Sequence, residues 1–119
     1  MHTIRSRVER WARQQAMPED AIIDLQLALG EAVANGVEHA YVDADGAAPT
    51  VDVELEIRPM GRVRVVAVRV SDYGRWRPTT VGPSYRGRGL ALIARLSHGL
   101  QVSRTGQGTQ VCFDIPLPG

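Results

Sequence analysis

Glu31, Asn35 and His39 recur at i, i+4 and i+8, which on a helix sets a carboxylate, an amide and an imidazole in one row. The row borders the apolar stripe of its segment, and taken alone it reads as a solvated polar edge. Gly36 stands between Asn35 and His39 at a cost of about 1 kcal/mol relative to Ala, so either something approaches the backbone there or the residue has drifted. Asp72-Tyr73-Gly74 follows a Val-rich run, which puts a carboxylate where a strand gives way to a loop. An Asp-x-Gly by itself usually marks a turn. Arg86-Gly87-Arg88-Gly89 runs straight into a segment of helical periodicity. Free amides at the positive end of a helix, with two guanidinium groups beside them, suit an anion such as phosphate.

The elements that must position these groups follow from the periodicity. Over residues 3–15, Ile4, Val8, Trp11 and Ala12 recur at helical spacing. Met17-Pro18-Glu19-Asp20 breaks that helix and starts a second, because Pro needs no amide in a first turn and acids suit its positive end. The second helix is expected to run to about Ala40 with a stripe of Ile22, Leu25, Leu29, Ala32 or Val33, and Val37. Val51, Val53, Leu55 and Ile57 then alternate with Asp52, Glu54 and Glu56, the period of a strand with one wet face. Pro59-Met60-Gly61 reverses the chain into a Val-rich central strand at residues 62–70. Residues 75–86, with two prolines and a glycine, are expected to be a loop, and a third helix is expected over residues 89–98 through Leu92, Ile93 and Leu96. A closing hairpin pairs residues 101–104 with 109–115, with Val111, Phe113 and Ile115 inward. This order predicts an α+β fold: a two-layer sandwich in one domain over residues 1–119, its mixed, mostly antiparallel sheet covered on one face by helices.

Composition removes several classes of function. The formal charge is +1, without the basic excess that non-specific nucleic-acid binding requires. All 14 basic residues are Arg. Without a lysine the chain can form neither a Walker A loop nor the phosphate-binding strand of an ordinary protein kinase. Cys112 is the sole cysteine, so no intrachain disulfide or cysteine-rich zinc site can form. His2, His39 and His98 have no metal-ligand spacing. No apolar run approaches the roughly 18 residues of a membrane helix and no signal peptide opens the chain, so a cytoplasmic location without membrane contact is expected.

Taken together and in this order, the motifs resemble the nucleotide site of the GHKL (histidine-kinase-like) ATPases. The stretch Glu31-Ala-Val-Ala-Asn35-Gly-Val-Glu-His39-Ala looks like the N box. Asp72-Tyr73-Gly74 looks like the first glycine box, Arg86-Gly87-Arg88-Gly89-Leu90 like the second, and Gly108-Thr109 like the last. The Glu-x-x-x-Asn-x-x-x-His-Ala run is closest to the anti-sigma-factor serine kinases. Trp76 stands where the second glycine of the first box is common, and Arg75-Trp76-Arg77-Pro78 resembles a variant found in some of these kinases, often as domains of larger signalling proteins.

The resemblance implies ATP and Mg2+ as ligands, with Asn35, whose amide oxygen is a hard neutral donor, on the metal and Glu31 as the general base toward a serine hydroxyl. It implies that Asp72 accepts from the adenine amino group, that Gly74 lets the base lie on the backbone, and that Thr109 completes the pocket. Gly87 and Gly89 give amides to the phosphates, with Arg86 or Arg88 on the γ-phosphoryl group, and His39 and Leu90 belong to the same boxes. Residues 75–86 become a short lid ordered by the γ-phosphate. The implied function is a serine protein kinase that phosphorylates an anti-sigma-factor antagonist and also binds a sigma factor. A non-catalytic, ATP-dependent binding module is the alternative, against which the Glu31 carboxylate counts. A histidine-kinase catalytic domain is the second rival, disfavoured because no helical hairpin with an acceptor histidine precedes the N box. The domain is expected to have been excised from a larger protein or shortened, and an uncovered sheet edge invites pairing into a homodimer.

Overall fold

A computed structural model describes residues 2–43, 51–72, 84–105 and 108–117, with the side chains of residues 2–3, 36–43, 84–88 and 105 outside the description. The elements run α1 (His2–Gln14), α2 (Glu19–Asp43), β1 (Val51–Met60), β2 (Val63–Asp72), α3 (Ser84–Leu96), β3 (His98–Thr105) and β4 (Gly108–Leu117).

The corner between the first two helices is closed by backbone hydrogen bonds and spanned by the exposed Arg13–Glu19 ion pair, at 3.2 Å. Met17 N–H donates to Ala12 O at 3.1 Å and Ala16 N–H to Arg13 O at 3.0 Å, with Ala16 in the left-handed region at φ 56°. This is a Schellman cap, which satisfies carbonyls that a helix end leaves unpaired. Met17 and Ala12, the two positions whose side chains such a cap sets side by side, are both buried. The Pro18 carbonyl then accepts from Ile22 N–H at 3.0 Å, so Pro18 caps α2 rather than sitting inside its first turn.

The four strands lie in the order β1-β2-β4-β3, and every pairing among the described residues is antiparallel, in keeping with the expected α+β sandwich and its mostly antiparallel sheet. The register aligns Leu55 with Val68 and Val68 with Phe113, and likewise Ile57, Val66 and Ile115, so apolar side chains form rows across one face. Against that face α2 lays Ile22, Leu25, Leu29, Ala32 and Val33, all buried, and α3 adds Ile93. The side chain of Val37, expected in the same stripe, lies outside the described residues. The helix-free face carries Glu54, Glu56, Arg58 and Arg69, with Arg69 reaching its cross-strand partner Glu54 at 3.6 Å.

Several boundaries differ from the periodicity. Helix α2 continues past Ala40 to Asp43, and β2 continues through Ser71 to Asp72. Helix α3 begins at Ser84 rather than Gly89, so Arg86, Gly87, Arg88 and Gly89 lie within it instead of ahead of it. Two glycines so close together argue locally against a helix. Packing of α3 along α2 through Ile93, with Leu90 and Leu96 at the edge of the core, overrides that preference. The helix also stops earlier than expected, because Ser97 Oγ donates to Ile93 O at 2.6 Å and His98 already belongs to β3.

Candidate functional site

Asp72 closes β2 on the helix-covered face, since side chains alternate along a strand and Val66, Val68 and Val70 point the same way. Thr109 occupies the matching place in β4, two residues before inward-facing Val111. Both are buried, and Asp72 Oδ1 accepts the Thr109 backbone N–H at 3.3 Å, one step beyond the ladder pair Ser71 and Gln110. A carboxylate and a hydroxyl are thus held together at the end of the sheet. The Thr109 hydroxyl is buried and has no hydrogen-bond partner among the described residues. An orphaned polar atom of this kind costs about 1–3 kcal/mol, which a ligand able to bond it would recover.

Glu31 and Asn35 stand one turn apart on α2, both half-buried, on the margin of the stripe formed by Ala32 and Val33. Helix α2 lies across β2 and β4 and against α3. At that last contact a Cβ built on Gly89 would come within 3.1 Å of Glu31 Oε2. The N-box carboxylate therefore rests against the bare backbone of the helix that carries the second glycine motif. Among the described residues no three His, Cys, Asp or Glu side chains gather as a metal site.

The structure thus brings together two pairs of expected residues, Glu31 with Gly89 and Asp72 with Thr109. Leu90 is half-buried against the core. His39 lies on α2 and Arg86, Gly87 and Arg88 lie on α3 by their backbone, with their side chains outside the described residues. The free amides of a helix are those of its first turn, here residues 84–86, ahead of Gly87 and Gly89. Gly74 and residues 75–83 of the expected lid, Trp76 included, lie outside the described residues. Sequence reasoning did not find the approach of Gly89 to Glu31, although a glycine inside a helix is the signal for it. A concavity on the helix-free face between Glu54, Arg58, Arg69 and Asp114 contains none of the candidate residues.

This fold and these paired motifs define an α+β sandwich of the GHKL ATPase type. Residues 1–115 match the histidine kinase-like ATPase domain family, and the chain belongs to that family. It is similar to the histidine kinase domain of the blue-light activated histidine kinase of Erythrobacter litoralis EL346, at 27% identity and a TM-score of 0.60 over 84% of this chain and 46% of that one. A second structure of that blue-light activated histidine kinase matches at 29% identity and a TM-score of 0.61, over 85% of this chain and 32% of that one. The chain therefore spans about a third to a half of the length of the structures it matches. Membership makes it an ATP-binding, kinase-like domain, of a family that generally binds ATP with Mg2+. The Thr109 hydroxyl beside Asp72, without a partner among the described residues, and the amide of Asn35 near Glu31 fit that ligand pair. Among the described residues no helix is long and apolar enough to cross a membrane.

Proposed function

We propose that this domain binds Mg-ATP and transfers the γ-phosphoryl group to a serine of an anti-sigma-factor antagonist, and that it also binds a sigma factor. The observation that carries the kinase reading is the Glu31 carboxylate lying against α3 at Gly89. In this reading Asp72 and Thr109 hold adenine, the first by accepting from its amino group and the second through its hydroxyl. Asn35 holds the metal, which supplies charge neutralisation to the phosphates. Glu31 takes the proton of the serine Oγ as that oxygen bonds to phosphorus. The bond from phosphorus to the bridging oxygen breaks, and ADP leaves. General-base assistance of this kind contributes about 10²–10⁴ in rate. The preference for a serine of an antagonist, and the sigma factor, rest on the N-box resemblance.

A second reading is favoured by the similarity to a blue-light activated histidine kinase: the acceptor is a histidine on another domain or protein. The acceptor chemistry separates the two. Incubation with γ-labelled ATP and an extract of the source cells should give an acid-stable label, as a phosphoserine is. An acid-labile, base-stable label would overturn the serine reading in favour of histidine. Binding of Mg-ATP by calorimetry without any transfer would leave a nucleotide-dependent binding module.

A further inference from the structure

Gly89 is a glycine that the backbone does not require. Gly61 and Gly99 have φ of 63° and 65°, where a side chain is strained, and a Cβ on either would meet nothing closer than 3.8 Å. Gly89 lies inside α3, where glycine is less favourable than Ala. What a side chain would meet there is the reactive end of Glu31, Oε2, at 3.1 Å, tighter than the 3.4–4 Å of ordinary contact.

We propose that Gly89 is a positioning residue for phosphoryl transfer, its bare backbone setting where the Glu31 carboxylate rests; this builds on the general-base reading of Glu31. The α2 backbone around Glu31 cannot yield easily, because Ala32 and Val33 beside it are buried in the core. A methyl group at position 89 therefore moves the carboxylate rather than the helix, by the few tenths of an ångström that restore ordinary contact. Such a displacement leaves adenine binding alone, since neither Asp72 nor Thr109 is touched. It acts on the proton transfer, whose rate depends steeply on the placement of the base.

The experiment compares the parent with Gly89→Ala in two readouts. Basal turnover of Mg-ATP, with water in place of the serine hydroxyl, should fall on the order of tenfold in kcat with KM for ATP within about twofold. In a Glu31→Asp background, whose shorter side chain clears the new methyl group, Gly89→Ala should cost less than about twofold further. Without nucleotide, Gly89→Ala should raise Tm by at least ~3 °C more in a Glu31→Ala background than in the parent, because only the parent opposes the helix gain with the contact. Equal Tm shifts in both backgrounds overturn the proposed contact. Loss of turnover in Glu31→Gln with an unchanged kcat in Gly89→Ala overturns the positioning role alone. Full turnover in Glu31→Gln removes the general base, and the positioning role with it.

Discussion

The Asp72 carboxylate and the Thr109 backbone are joined by a 3.3 Å hydrogen bond from Thr109 N–H to Asp72 Oδ1, tying the end of β2 to the start of β4. The two motifs farthest apart in the second half of the chain thereby become one wall. Because both side chains are buried there, any polar group arriving at that wall meets acceptors of fixed position rather than mobile surface groups.

Asp72→Asn tests adenine recognition. The amide can keep its oxygen toward Thr109 N–H, but it then presents a donor where the reading requires an acceptor for the adenine amino group. ATP affinity should fall by about 1–3 kcal/mol, the scale of a hydrogen bond to a charged group. Calorimetric titration measures it, and an unchanged Kd rules Asp72 out as the adenine contact.

Glu31 and Asn35 are neighbours with separate tasks in the proposed mechanism, so their substitutions should separate binding from chemistry. Glu31→Gln should keep ATP affinity and lose about 10²–10⁴ in transfer rate. Asn35→Ala should lose the magnesium dependence of ATP binding. Titrations with ATP in Mg2+ and in EDTA, beside a transfer assay, read both. Parent-like transfer by Glu31→Gln ends its role as the base.

The α1–α2 corner offers a stability test independent of function. Ala16 occupies the left-handed position of the Schellman cap at φ 56°, where a Cβ costs roughly 1–2 kcal/mol. Ala16→Gly removes that strain while widening the freedom of the unfolded chain, and the balance should favour the folded state by about 0.5–1 kcal/mol. Thermal unfolding should show a Tm higher by a few degrees, roughly 2–6 °C. A lower Tm would mean that the unfolded-state entropy outweighs the relieved strain.

The elements that periodicity defines strongly were legible in the sequence. The alternation of Val51, Val53, Leu55 and Ile57 and the inward set Val111, Phe113 and Ile115 each appear on the face expected of them. The start of α3 was not legible, because Gly87 and Gly89 weigh locally against a helix that only contact with α2 stabilises. The site was legible as motifs but not as geometry. Asp72 could be placed at a strand end, yet its bond to Thr109 depends on the β2–β4 register, which is fixed by the whole row of core side chains between them. The meeting of Glu31 with Gly89 depends on how α3 lies along α2, a packing relation that no local pattern encodes.

Thr109 gives the most discriminating test, because the free and bound proteins should respond in opposite directions. Its Oγ1 is buried with no partner among the described residues, so the free protein carries the cost of a desolvated hydroxyl. Thr109→Val replaces the hydroxyl by a methyl group of similar size and keeps β-branching in β4, and the backbone N–H that bonds Asp72 is untouched. Stability without nucleotide should stay level or rise by up to about 1 kcal/mol, since no hydrogen bond is lost. If the hydroxyl serves adenine, ATP affinity should fall by about 1 kcal/mol in the same variant. A structural role for Thr109 predicts the reverse, a drop in Tm with ATP binding unchanged. Thermal unfolding and calorimetry on one preparation distinguish the two, and a variant that binds ATP as tightly as the parent removes the hydroxyl from the adenine site.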